Sequence, residues 1–275
     1  NNYLKNKNEI TLFHVYWYGN INRHQILCIN SYLATQNLNN TKLWVWLDND
    51  TYNENCGKIP KHKNIIVKNY NIHDDIIKKL FPINEFIKTK EFLKFRSDIA
   101  RLCFLNEYGG VYYDLDLILL KDLSPLLDLE FCYQWSIMKK CNNALIRFKK
   151  GSKVIENLRD KYLNLFSILS KKFTFNNMTT PRVDIFNDLD ITVLPCVMFD
   201  PVWILYDSKT KSKYSELTNF DDFFKKTDEK INNFFKDQLF GYHWHSRGNV
   251  EIEKHSYFYK IERVITEKII NLNKN

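Results

Sequence analysis

Alanine is nearly missing from this chain: in 275 residues it occurs at Ala34, Ala100 and Ala144 alone. Asn, Lys and Ile take its place, the usage of an AT-rich genome, and the same bias accounts for much of the formal charge of +8. A basic balance can also draw anionic partners by long-range attraction. No Arg-rich stripe or nucleic-acid-binding motif accompanies it, so a nucleic-acid partner is not expected. No run approaches the roughly 18–20 uninterrupted apolar residues that cross a bilayer as a helix. The opening Asn1-Asn2-Tyr3-Leu4-Lys5 has no signal-peptide core. A start on Asn rather than Met sets the expectation that an anchor or tag has been removed. The compartment expected is cytoplasmic, with a membrane-associated or Golgi-type location as the alternative. No two cysteines form a CxxC pair, so zinc is not expected. Cys103, Cys132 and Cys196 stand in apolar runs and read as buried thiols in a reducing compartment. Internal repeats and Pro/Gly-rich linkers are also lacking, and no firm domain boundary shows.

What the sequence does contain is a globular share of apolar residues, 44%, which suffices for a sizeable core. Strand and helix signals alternate through the first half. Residues 10–17 are β-branched and aromatic and end at Gly19-Asn20. Residues 23–35 carry Ile26, Ile29 and Leu33 at helical spacing. Short strands are expected at 43–47, before the turn-like Asp48-Asn49-Asp50, and at 64–68, with a helix at 73–80 that Pro82 breaks. The clearest helix runs from about 90 to 107, with Phe92, Phe95, Ile99, Leu102 and Leu105 in one stripe. It stops at Tyr108-Gly109-Gly110, where glycine supplies the positive φ that helix ends favour. A strand at 111–114 then runs into Asp114-Leu115-Asp116. This alternation predicts an α/β fold: a mainly parallel sheet with helices on both faces. Ligands of such sheets gather beyond the C-terminal strand ends, where the acidic pair lies. The second half is less regular. Strands are expected at 131–135, 144–146 and 191–194, helices at 153–171 and 255–271, and a surface insertion at 209–235.

Two aspartates one residue apart at a strand end can aim at one hard cation such as Mg²⁺ or Mn²⁺, whose coordination phosphate oxygens often complete. A cation placed there stabilises the charge that develops on a departing diphosphate. One helix upstream, Asp98 and Arg101 are three apart and share a face. They read either as a solvated ion pair worth about 0.3–0.5 kcal/mol or as a working pair. In the second reading Asp98 accepts from a hydroxyl and Arg101 holds a diphosphate or sugar, a task suited to its fork of donors.

The continuous run Arg96-Ser97-Asp98-Ile99-Ala100-Arg101, followed by Leu105-Asn106-Glu107-Tyr108-Gly109-Gly110-Val111-Tyr112-Tyr113-Asp114-Leu115-Asp116, is more specific than its parts. It resembles the DXD sugar-binding region of glycosyltransferase family 32. That family includes fungal initiating mannosyltransferases and bacterial capsular enzymes, and the clostridial glucosylating toxins share the pattern. Phe13-His14-Val15-Tyr16-Trp17-Tyr18-Gly19 is similar to the family's opening His-x-x-Trp-x-Gly strand. Asn142-Asn143-Ala144 resembles the segment after the DXD strand that often presents an Asn to the donor sugar or the acceptor. Thr179-Thr180-Pro181 stands where relatives have Thr-Gly-Pro, and 191–201 echoes a strand leading to an aromatic–x–Pro. Gly241-Tyr242-His243-Trp244-His245-Ser246 is similar to the closing His/Trp segment, although Arg247-Gly248-Asn249 replaces the Trp that usually follows.

The resemblance covers residues 10–250 in outline and 90–120 in detail. It implies a GT-A fold over the whole chain, with a donor-binding half at about 10–135 and a less regular acceptor-binding half at about 136–275. It implies a metal-dependent, retaining hexosyltransferase that takes a nucleotide-sugar donor, UDP-sugar before GDP-mannose, and a glycan or protein acceptor. Asp98, Arg101, Asp114 and Asp116 would be catalytic. Asp116, Asp114 and His243, with His245 second, would hold Mn²⁺ or Mg²⁺. Trp17, Gly19, Tyr112, Asn143 and Arg247 would bind the donor. A sugar-binding module that has lost catalysis is disfavoured because all four acidic and basic positions are intact. A nucleotide-sugar hydrolase or phosphotransferase would need an HxxE-like helix or Walker loop, and neither is visible.

Overall fold

The computed structural model describes residues 10–71, 80, 93–136, 141–169, 190–203, 219–230, 239–272 and 274. Nine strands and four longer helices are seen among them. In chain order these are β1 (Thr11–Trp17), α1 (Arg23–Thr35), β2 (Thr41–Asp48), β3 (Ile65–Tyr70), α2 (Leu93–Tyr108), β4 (Gly110–Tyr113) and β5 (Leu117–Leu119). There follow β6 (Phe131–Gln134), β7 (Cys141–Phe148), α3 (Lys153–Leu169), β8 (Thr192–Leu194), β9 (Gly241–His243) and α4 (Tyr257–Leu272).

Seven strands form one sheet in the order β3-β2-β1-β4-β7-β6-β8. β1 pairs in parallel with β2 and β4, β2 with β3, and β6 with β8, while β7 runs antiparallel to both β4 and β6. The strand order reverses between β1 and β4, so their C-terminal ends flank the crevice where ligands of such sheets bind. β5 and β9 form a separate antiparallel pair that places Leu117 opposite His243.

Alternation along the central strands explains why both faces are covered. Phe13, Val15, Leu43, Val45, Val111 and Tyr113 turn to one face and pack with α1 and α4 residues such as Leu27, Ile29, Phe258 and Ile261. Tyr16, Trp46, Tyr112 and Ile146 turn to the other, against Ile99, Leu102 and Leu105 of α2 and Ile155 and Leu158 of α3. Trp46 stacks on Phe104 with 4.2 Å between ring centroids. α1 starts on a capping box, in which Asn22 accepts from the helix backbone and Gln25 accepts from the Asn22 N–H. Cys103, Cys132 and Cys196 are buried and form no disulfide among the described residues.

The α2–β4 corner depends on two glycines. Gly109 and Gly110 have φ of +66° and +108°. A Cβ on Gly110 would fall 2.1 Å from the Leu12 carbonyl oxygen, and one on Gly109 would fall 2.5 Å from Lys150 N. Only glycine lets the helix end turn this sharply into a strand pressed against β1. His14 fastens the corner. Its Nε2 pairs with the Gly109 carbonyl at 3.0 Å, and its Nδ1 accepts from Trp46 Nε1 at 3.2 Å. The histidine of the family-like opening strand is therefore a buried tie. Burial lowers its pKa to about 4, against the rise its bond to Gly109 favours.

Most strand and helix expectations lie within a few residues of the observed elements. The strand expected at 144–146 extends over the whole of Cys141–Phe148, and the one at 111–114 ends at Tyr113. The small β5–β9 sheet was not anticipated, because each strand has three residues and the partners lie more than a hundred positions apart. The helix expected at 73–80, apart from its last residue, the Thr179-Thr180-Pro181 loop and most of the insertion at 209–235 lie outside the described residues. So does Phe92 of the α2 stripe.

Candidate active site

Asp114 and Asp116 sit where β4 runs out. Leu115 between them is 1% exposed and belongs to the core, which turns both carboxylates toward the opposite side. They line a cleft of about 280 Å³ whose other walls are Tyr16, Trp17 and Tyr18 from the end of β1, Ser97 from α2, and Ser246. Their side chains are 25% and 18% exposed, open enough to meet a ligand.

The Asp114 side of the cleft is sealed from beneath, under a carboxylate that itself stays partly exposed. The Arg101 guanidinium contacts Asp114 Oδ1 at 3.1 Å and Asp98 Oδ1 at 3.3 Å. It also donates to the carbonyls of Ser97 and Asn143 and lies 4.8 Å over the Tyr112 ring. Asn143 Nδ2 donates to Asp98 Oδ1 at 3.0 Å, and the Tyr112 hydroxyl donates to Asp114 Oδ1 at 3.0 Å. Asp98 is fully buried and Arg101 is 3% exposed, so this is no solvated surface pair. The guanidinium expected on a diphosphate is instead committed to protein acceptors. The helix face was assigned correctly, but the depth at which it packs against β4 and β7 was not. Burial, against the pull of Arg101, pushes the Asp114 carboxyl up to about 6, and the neighbouring Asp116 adds to the rise.

The Asp116 side is built from the second half of the chain. Asp116 Oδ2 accepts the Ser246 N–H at 2.7 Å, and Oδ1 stands 3.1 Å from His243 Nε2. The β5–β9 pairing carries His243 there, and Trp244 N donates to the Asp116 carbonyl at 3.0 Å. His243 Nδ1 lies 2.9 Å from the Tyr133 hydroxyl and 3.6 Å from Asp200 Oδ2. His245 stacks on His243 with centroids 3.7 Å apart, but its Nε2 bonds Asp200 Oδ2 at 2.5 Å and does not face Asp116. Burial works against charge at each of these groups. The histidine pair nevertheless holds Asp116 and Asp200 below the usual carboxylate range, and Asp116 and then Asp200 raise His243 to about 10. His245 is lowered by burial and then by the charge of His243.

The residues present fit a divalent cation. Asp116 Oδ1 is buried and, apart from its contact with His243, accepts no aligned hydrogen bond among the described residues. Carboxylate oxygen with imidazole nitrogen is a donor set that Mn²⁺ accepts. Asp200, His243 and His245 also bring three ligand atoms within 4.8 Å of one another.

The other expected donor contacts divide. Trp17 lines the cleft, with its indole N–H bonded to the Asn20 carbonyl at 3.2 Å. Gly19 follows at φ +102°. Tyr112 and Asn143 support Asp114 and Asp98 from below. Arg247 is paired with Asp221 at 2.8 Å and bonds the His245 carbonyl. Sequence reasoning missed Asp200, Tyr133 and Ser246. It also missed the cluster behind Tyr16, in which Asp48 Oδ2 accepts from the Tyr16 hydroxyl at 2.5 Å and meets Arg96 at 3.4 Å. A signal for Asp200 existed: it is the one acidic residue in the apolar run Val197-Met198-Phe199-Asp200-Pro201-Val202-Trp203.

Residues 24–133 match the family described as the glycosyltransferase sugar-binding region containing a DXD motif. An uncharacterized protein of Arabidopsis thaliana is 26% identical over 172 residues, 58% of this chain and 25% of its own length. The chain thus spans about a quarter of that curated relative. Among solved structures, the apo form of the glycosyltransferase GlyE of Streptococcus pneumoniae matches with a TM-score of 0.51 at 13% identity, over 96% of this chain and 64% of that one. The PaToxG glycosyltransferase matches over 65% of this chain and 67% of that one, at 16% identity and a TM-score of 0.48. Residues 24–133 are thus similar to a glycosyltransferase sugar-binding region containing a DXD motif, and the fold is of the GT-A class.

Proposed function

We propose that this chain is a divalent-metal-dependent glycosyltransferase that moves a hexose from a nucleotide sugar, a UDP-sugar before GDP-mannose, to a glycan or protein acceptor. One observation carries the reading. Asp114 and Asp116 share a cleft at the β1–β4 switch point, and His243 Nε2 stands 3.1 Å from the outer aspartate. Asp116 and His243 would hold Mn²⁺ or Mg²⁺, with Asp114 as a further or water-mediated ligand. When bound, the ion supplies positive charge to a departing diphosphate.

The chain's own residues supply the rest. Arg101 holds Asp114 and Asp98 in place, so that the Asp114 carboxylate is presented to the cleft. The aromatic end of β1, Trp17 and Tyr18, offers ring faces to a base. The Ser246 N–H takes one oxygen of Asp116 and leaves the other toward His243. Transfer with retention is the stereochemistry proposed.

Incubation of the protein with Mn²⁺ and a panel of nucleotide sugars, with nucleotide release as the readout, tests this reading. One donor is expected to release nucleotide, excess chelator to stop it, and the sugar to appear on an acceptor with its anomeric configuration kept. Free sugar alone would make the protein a nucleotide-sugar hydrolase. No release with any donor would leave a sugar-binding module.

A further inference from the structure

Asp200 is 1% exposed and lies just beyond the turn that closes β8. A buried carboxylate is costly unless charge and hydrogen bonds hold it. Its backbone is pinned by its N–H to the Cys196 carbonyl at 2.8 Å, and Cys196 Sγ donates to its carbonyl at 3.3 Å. Its side chain spans two histidines, bonding His245 Nε2 and standing 3.6 Å from His243 Nδ1.

An imidazole that offers one nitrogen lone pair to a cation must carry its proton on the other nitrogen. A carboxylate beside that second nitrogen fixes the tautomer and the ring plane. His243 has this arrangement: Nε2 toward Asp116, Nδ1 toward the Tyr133 hydroxyl and Asp200. The stacked His245 ring, itself held by Asp200, walls one face of His243. The turn needs such a hold, because His245 and Ser246 have φ of +50° and +60°, a region that non-glycine residues adopt at a cost.

We infer that Asp200 is a positioning residue for the cation centre. Its carboxylate clamps the turn at 243–246 so that His243 Nε2 and the Ser246 N–H both face Asp116. His245 is then part of the clamp rather than a ligand. The inference rests on the metal-dependent reading above.

Calorimetric titration of the full chain with Mn²⁺ alone separates the two. Asp200→Asn is expected to keep its thermal transition and to bind Mn²⁺ on the order of 10–100-fold more weakly. Nitrogen-15 histidine spectra of the Mg²⁺-loaded protein should show His243 with its proton on Nδ1, and a mixture of tautomers in Asp200→Asn. Should Asp200→Asn fail to fold, His245→Phe keeps the stacked ring but removes the nitrogen that Asp200 holds, and must weaken Mn²⁺ as well. If Asp116→Asn loses Mn²⁺ while Asp200→Asn, or His245→Phe in its place, binds it as the parent does, the clamp is overturned and the metal reading stands. A parent protein that takes up no Mn²⁺ overturns both.

Discussion

The two aspartates of the DXD stretch are two residues apart and live in opposite electrostatic settings. Asp114 faces a cation that belongs to the protein: Arg101, buried and bonded to Asp98, Ser97 and Asn143 as well. Asp116 faces a histidine, a group that can release its proton when a metal takes that place. Burial and the neighbouring Asp116 push Asp114 up to about 6, while His243, against burial, holds Asp116 low. A fixed guanidinium makes one carboxylate part of the framework. An imidazole on a turn, held from behind, leaves the other available.

Removal of the outer carboxylate should have the largest effect. Asp116→Asn is expected to cut metal-dependent turnover by about 10²–10³-fold, because a neutral amide is a poor ligand for a hard cation. The fold should survive, since the swap is nearly isosteric and the side chain is partly exposed. Parallel measurement of nucleotide release and of the thermal transition checks this. Turnover close to that of the parent would erase the distinction between the two aspartates.

Arg101→Ala comes next, and here stability should fall. The substitution leaves Asp98 buried with its principal cation gone, and breaking a buried pair in this way costs about 3–5 kcal/mol. This differs from what the sequence suggests, where Arg101 stands off the apolar stripe and its loss should spare the core. Chemical denaturation decides it. An unchanged midpoint would mean that the corner is not sealed. Asp114→Asn should do less, because the amide still accepts from Tyr112 and Arg101. A several-fold loss of donor affinity together with a reduced rate is expected from titration and initial-rate measurements.

The same division explains what could be read without coordinates. The sealed corner is local: Asp98, Arg101, Gly109, Gly110 and Asp114 lie within 17 consecutive residues, and helical spacing with a glycine stop places them together. The open corner is assembled from β5, β6, the turn after β8, and β9. Residues 133, 200 and 243 meet through pairings of strands of three or four residues that leave no periodic trace. His243 was visible as a motif residue. Asp200 showed only as a lone acid in an apolar run, because its value comes from two histidines more than forty positions away. Burial was misjudged for a related reason: an i,i+3 pair looks the same on a surface as under a sheet edge, and only the packing of α2 over β4 and β7 distinguishes them.

The smallest expected effect concerns the scaffold beneath the sealed corner and is a dependence on pH. His14 ties β1 to the Gly109 carbonyl and is buried with no carboxylate against it among the described residues, so burial holds it neutral, with its pKa at about 4 rather than 6.5. The unfolded chain therefore binds a proton at His14 at a pH where the folded chain does not. This contribution to stability is complete above about 6.5, is lost as pH falls from there toward 4, and changes no further below that. Between pH 6.5 and 5.5 the loss should be about 1 kcal/mol. The carboxylates also titrate in acid, so the measurement is a difference: urea unfolding of the parent and of His14→Gln at both values. The variant should be less stable at neutral pH, since Gln cannot reproduce both ring contacts, and its stability should fall less steeply with acid. Equal slopes in the two proteins would mean that His14 is protonated in the folded state. The β1–Gly109 tie would then be made by a charged donor, and the sealed corner would rest on a different base.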